Sequence, residues 1–327
     1  MDSHPPITPA VRPRLTSRSL DIAKGIGLKL ASLLLFALMS ALIRGLGHTT
    51  PVGQVVFFRS AFAIVPVVII YAARRELVTA VRTHRLPGHL GRGVMGILAT
   101  FLSFAALARL PLVDATAISF AAPLIVVALA ALILKERVRR YRWGAVAIGF
   151  VGVIVMLAPY LEVKHWTMSG PATGALFALL AAFCNAGTTI ETRRLTSTET
   201  TSAIVIYFSV FCALAGLLTL PFAWHPPSER EFAELVAIGL IAGVAHILLT
   251  EGYRFAPASV LAPFEYTAMV WASVLGYVMF GETPTLVVLL GALIVAASGL
   301  FVIWREHLLG IERPHRARIK AHTAGWG

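Results

Sequence analysis

Charge is scarce in this chain: only 13% of its 327 residues are Asp, Glu, Lys or Arg. A water-soluble domain carries about a quarter. With 57% hydrophobic residues and a mean hydropathy of +0.80, the shortfall excludes an ordinary soluble fold. Cysteine is scarce too. Cys184 and Cys212 both fall inside apolar runs, which leaves no disulfide framework and no cysteine metal cluster. No Gly-x-x-x-x-Gly-Lys-Ser/Thr loop occurs, so nucleoside triphosphate hydrolysis by that route is excluded. His-Glu-x-x-His, Gly-x-Ser-x-Gly and paired aspartates within the apolar runs are missing as well. The chain therefore reads as a non-enzyme with no cofactor and no metal. A cleavable signal sequence is not evident either: residues 1–23 are too polar and too long for its leader, and a disordered cytoplasmic tail is expected there.

What is present is apolar length. Ten segments, at roughly 28–46, 53–73, 92–108, 112–134, 142–158, 171–190, 201–222, 233–253, 257–280 and 285–304, each approach the ~20 residues a helix needs to cross ~30 Å of hydrocarbon. Lys and Arg fix their direction. With the N-terminus inside, 23 of the 28 fall on the cytoplasmic side, 4 (Arg44, Arg109, Lys164 and Arg230) fall outside, and Arg59 lies within a span. Cytoplasmic retention of positive charge then puts both termini inside. The net charge of +12 is thus a topology signal and not a nucleic-acid footprint.

The halves of the chain repeat. Pro111 and Glu136 are 25 residues apart, as are Pro257 and Glu282, and Gly144-Ala145 with Gly152 matches Gly291-Ala292 with Gly299. An odd number of helices per repeat makes the second enter the membrane upside down. Such inverted repeats enclose a site near mid-depth and suit alternating access. The stretches SFAAPLIVVALAALILKERVRRYRWGAVAIGFVGVIVML (Ser119–Leu157) and PFEYTAMVWASVLGYVMFGETPTLVVLLGALIVAASGLFVI (Pro263–Ile303) resemble the closing halves of the two EamA domains of the drug/metabolite transporter superfamily. Pro263-Phe264-Glu265-Tyr266 resembles a bacterial branch that includes riboflavin-type and S-adenosylmethionine-type uptake carriers. Leu134-Lys135-Glu136 departs from the usual Leu-Gly-Glu, which Phe280-Gly281-Glu282 keeps closer to.

The resemblance implies an all-α bacterial inner-membrane carrier of ten helices in two inverted five-helix repeats. The expected division is residues 24–158 and 167–304 as repeats and 305–327 as a basic tail. The expected activity is secondary active transport of a small polar metabolite (an amino acid, vitamin, nucleoside-like compound or drug), by uptake or export, as a monomer or homodimer. A non-transporting receptor or scaffold is the alternative.

Ionisable groups inside a membrane cost about 3 kcal/mol or more and so face partners or water. Arg59 lies about 9 Å inside the outer end of its helix, and the resemblance too places an arginine there, in Phe57-Phe58-Arg59. It is expected either to offer a forked donor to an anionic group from the outer cavity wall, or to bridge helix ends. His246 and Glu265 fall at matching depth, so they are expected to pair, coupling transport to protons or holding a cationic part of the substrate, or merely fixing packing. Glu251 is expected to bind Arg254. Ser40 and Asn185, offset by 145 residues, are candidate cavity residues, and Tyr266 and Trp271 are candidates for stacking on a ligand. Pro66, Pro123 and Pro263 are expected to interrupt their helices, and Gly239 and Gly243 to form a helix contact. Tyr141, Trp143, Trp166, Trp224 and Trp304 read as interfacial anchors.

Overall fold

A chain that offers lipid little but apolar side chains must satisfy its backbone hydrogen bonds within each segment, and a helix does this. The computed structural model describes residues 15–47, 49–73, 75, 83, 86–133, 139–161, 167, 170–195, 199 and 201–309. Among them all regular structure is helical. The crossings are α1 (Leu15–Leu46), α2 (Val52–Ala73), α3 (Leu86–Leu107), α4 in two halves (Leu112–Ser119 and Ala121–Ile133), and α5 (Arg140–Leu161). They continue as α6 (Pro171–Leu195), α7 (Thr201–Leu217), α8 (Glu229–Phe255), α9 (Ala258–Leu261, a 3-10 turn at Ala262–Tyr266, then Thr267–Phe280) and α10 (Leu286–Leu308). Nine segments of the described chain are long and apolar enough to cross a membrane unaided, and broken α9 makes the tenth.

The helices pack in a pattern that exchanges the halves. α1 lies along α8 and α3 along α6, while α5 lies along α10 and α2 along α7. Swapping the repeats turns the first pair into the second and returns the other two to themselves, as a pseudo-two-fold requires. Close approach depends on glycine where α8 meets α2. A side chain at Gly243 would come within 2.6 Å of the Ala63 carbonyl, and one at Gly239 within 2.4 Å of Phe62 Cβ, so the Gly239/Gly243 contact expected from sequence is made.

Two interruptions place the site. In α4 the break falls at Phe120, because Pro123 has no N–H to offer the Ser119 carbonyl. In α9 it is the 3-10 turn around Pro263. Phe120 and Tyr266 are 146 residues apart, the separation of Pro111 and Pro257, and their rings meet at 5.2 Å. The repeats are thus broken at equivalent points, and the breaks face each other.

Some expectations change. Helix α1 begins at Leu15, so 15–23 are helical and not a disordered tail, and α3 begins at Leu86 rather than near 92. The last helix runs on to Leu308, into the expected tail. Pro66 sits inside an unbroken α2. Residues 1–14 and 310–327, Trp166, Lys135 and Glu136 lie outside the described residues.

Candidate functional site

Between the broken helices lies a cavity of about 200 Å³, walled by α1, α3, α4, α6 and α9. Its lining is largely apolar, with Leu33, Phe36 and small residues, and carries Ser40, Ser103, Thr116, Ser119 and Asn185 among them. Thr116 and Ser119 donate their hydroxyls to helix carbonyls, Leu112 at 2.7 Å and Thr116 at 2.6 Å. Among the described residues, the side chains of Ser40, Ser103 and Asn185 make no hydrogen bond. An apolar cavity with a few uncommitted polar groups is the usual design of a small-molecule site. Ser40 and Asn185, chosen from their equivalent positions in the repeats, both line it.

One end of the bundle is closed by charge. Arg44 of α1 donates from Nε to Glu282 Oε1 at 2.5 Å, from a terminal nitrogen to the Leu107 carbonyl at 3.1 Å, and also to the Leu110 carbonyl. Glu282 Oε2 accepts the backbone N–H of Leu112 at 2.8 Å. One ion pair therefore ties α1, the α3–α4 link and the end of α9 together. Their side chains are 17% and 13% exposed, dry enough for the tie to hold firmly. Beside it Tyr160 donates its hydroxyl to Asp114. Arg44 had counted from sequence only as a topology charge, and Glu282 only as a repeat marker.

Near the other end, Lys29 of α1 meets Glu265 in the 3-10 turn of α9, Nζ to Oε1 at 3.1 Å. The Lys29 side chain is 4% exposed and that of Glu265 45%. By sequence Lys29 is one of the 23 positive residues counted on the cytoplasmic side, at the start of the first apolar segment. In the structure α1 begins at Leu15, about four turns earlier, and Lys29 lies well inside the helix with its side chain buried. The helix start was the signal that concealed it.

This corrects the expected His246–Glu265 pair. Matching depth did not bring them together, since they lie on different faces of their helices: Glu265 has Lys29 and His246 has Arg59, whose terminal nitrogen is 3.3 Å from His246 Nε2. Arg59 does not line the cavity. It is buried between α2 and α8, and its Nε has no partner among the described residues. Phe36, edge-on to His246 with ring centres 4.9 Å apart, separates the pair from the cavity. Trp271 and Tyr266 are not in the lining either, and Tyr266 packs on Phe120 and against Gly299. Glu251 pairs with Arg254 at 3.0 Å, as expected.

At the closed end the link before α8 carries a titrating tie. His225 Nε2 is 2.8 Å from the Thr49 carbonyl and Nδ1 is 3.3 Å from that of Pro226. Two carbonyl acceptors suit the doubly protonated ring, so the Thr49 backbone first and then Pro226 raise the His225 pKa, and nearby Glu231 adds to this. Glu231 accepts the backbone N–H and the hydroxyl of Ser228 in the capping box that starts α8. A raised histidine pKa means the tie is complete below the ordinary value of about 6.5 and is lost as pH climbs through the folded one. The protection of the Thr49 and Thr50 amides, taken relative to the intrinsic exchange rate at each pH, should thus be greater at about pH 6 than at about pH 8.5, and His225→Gln should remove that difference.

Comparison with known proteins agrees with the architecture. Residues 23–158 and 172–304 each match the EamA-like transporter family. The pseudopaline exporter CntI of Pseudomonas aeruginosa is 30% identical over 284 residues, covering 85% of this chain and 96% of that protein. An S-adenosylmethionine uptake transporter of Rickettsia prowazekii is 28% identical (79% and 84% covered), and a riboflavin transporter of Rhizobium johnstonii is 30% identical (71% and 75%). A solved structure aligns with a TM-score of 0.56 at 20% identity, covering 89% of this chain and 98% of its own, and so shares the fold.

Proposed function

Since the chain belongs to the EamA-like transporter family and is a multi-pass membrane transporter of a small metabolite, we propose that the cavity between the broken helices is its substrate site, served by alternating access. The observation that carries this is the set of uncommitted polar groups, Ser40 and Ser103 from one repeat and Asn185 from the other, in an otherwise apolar cavity. In this reading Ser40 and Asn185 hydrogen-bond the substrate, and Phe120 and Tyr266 let the half-helices hinge. No chemical step on the substrate is proposed. The positive-charge distribution supports assigning the Arg44–Glu282 end to the outside of the bacterial inner membrane, with both termini cytoplasmic. The conformation is then closed outward. If protons drive the cycle, Glu265 carries them, for it is half-exposed while His246 is held beside Arg59. A single chain supplies both halves of the cavity, so the working unit is a monomer.

An untargeted metabolite screen of proteoliposomes tests the site. Asn185→Trp, which fills the cavity, should reduce accumulation of the transported compound at least 10-fold while Leu218→Trp, on an exposed position, leaves it unchanged. Equal transport by both variants would place the substrate elsewhere.

A further inference from the structure

The Lys29–Glu265 pair lies where the cavity ends. Leu33, one turn beyond Lys29 on α1, and Ala268, one turn beyond Glu265 on α9, both line the cavity. The pair is lopsided: the ammonium is almost wholly enclosed and also faces the Tyr253 ring at 5.5 Å, while the carboxylate is nearly half open. Glu265 occupies the position in the second repeat that Ser119 occupies in the first, 146 residues earlier, and exposed Ser119 lines the same cavity. Both stand at a helix break, where the backbone is already free of the α-helical ladder.

A ligand that displaced this contact would have to answer two opposite charges about 3 Å apart. A cation would satisfy Glu265 and strand Lys29, buried and unpaired. An anion would do the reverse. A neutral molecule would have no reason to part them. Only a molecule carrying an ammonium and a carboxylate close together can take both partners without leaving a charge bare in a low-dielectric interior.

Resting on the carrier reading above, we propose that Lys29 and Glu265 form a head-group subsite for a zwitterion of the α-amino-carboxylate kind. Glu265 receives the ammonium, Lys29 receives the carboxylate, and the remainder of the molecule extends into the cavity toward Asn185 and Ser40. The subsite sorts substrates by charge pattern, and the cavity sorts them by size and polarity.

The test uses the full chain in proteoliposomes and in detergent. Thermal stabilisation is read for the standard amino acids and, for whichever of these stabilises most, its methyl ester (cation) and its N-acetyl derivative (anion). The expected result is stabilisation by at least one zwitterion, with both single-charge derivatives at least 10-fold weaker. Lys29→Met/Glu265→Gln together removes both charges and so avoids leaving either one stranded. An ion pair that only holds α1 to α9 would survive this exchange with transport intact, whereas a head-group subsite loses at least 10-fold in zwitterion binding while the unfolding temperature stays close to the parent. Retention of zwitterion binding in that double variant, or an ester or N-acetyl form binding as well as the parent amino acid, overturns the proposal. A compound found by the metabolite screen that is transported equally by parent and double variant sinks this inference but leaves the carrier reading standing. Absence of transport of any compound by the parent sinks the reading itself.

Discussion

Arg44→Ala should open the closed end of the bundle. The arginine satisfies Glu282 and two carbonyls, at Leu107 and Leu110, and an alanine leaves all three without it. Removing one partner of a buried ion pair costs about 3–5 kcal/mol. Residual exposure of 17% and 13% argues for the lower end of that range here. A loss of about 3 kcal/mol shifts a two-state equilibrium by roughly 100-fold, enough to turn a closed majority into an open one. The readout is a single cysteine at Ser40, in a background where Cys184 and Cys212 are replaced, challenged from outside with an impermeant thiol reagent. The parent should resist labelling and Arg44→Ala should be labelled readily, with net transport down at least 10-fold. Glu282→Gln should act the same way but more weakly, since it keeps one acceptor for Leu112 N–H. Unchanged labelling at position 40 would show that the ion pair is not what closes this end.

The sequence revealed the scaffold because lipid imposes few choices. Ten apolar stretches of crossing length and an odd repeat are enough to fix helix number and inversion. The equivalent positions of Ser40 and Asn185 pointed to one cavity because the pseudo-two-fold carries equivalent residues to facing walls. What stayed hidden was rotation about the helix axis. Depth along a helix is read by counting at 1.5 Å per residue, but which neighbour a side chain meets depends on packing across helices far apart in sequence. His246 and Glu265 share a depth and not a face. Lys29 and Glu265, 236 residues apart, share both. Arg44 and Glu282 were concealed by their places at helix ends, where charges are ordinary and a specific tie cannot be told from a solvated one. Pro123 was read as a break and the break lies a turn upstream, because proline withdraws its hydrogen bond from the residue four before it. Pro66 shows the converse: α2, packed closely on Gly243 of α8 at this point, stays continuous across the missing bond.

Arg59→Met should stop transport while leaving the fold as stable as before, or more so. Arg59 is only 8% exposed, its Nε is unpartnered among the described residues, and its terminal nitrogen faces a histidine rather than a carboxylate. Such an enclosed charge costs several kcal/mol, which a methionine of similar length would restore through apolar packing. Stability therefore gives no reason for an arginine at this position. The neighbours give one. His246 touches Phe36, and Phe36 is part of the cavity wall, so a movement of α2 against α8 reaches the cavity through a single aromatic ring. Unfolding temperature in detergent and transport in proteoliposomes separate the accounts. Retained or raised stability with transport down at least 10-fold assigns Arg59 to turnover, whereas parallel loss of both assigns it to packing. Arg59→Lys, which keeps the charge and loses the planar fork, should fall between parent and Met in transport if orientation toward His246 matters. A residue that burdens the resting fold and whose loss halts the cycle is held in place by the cycle.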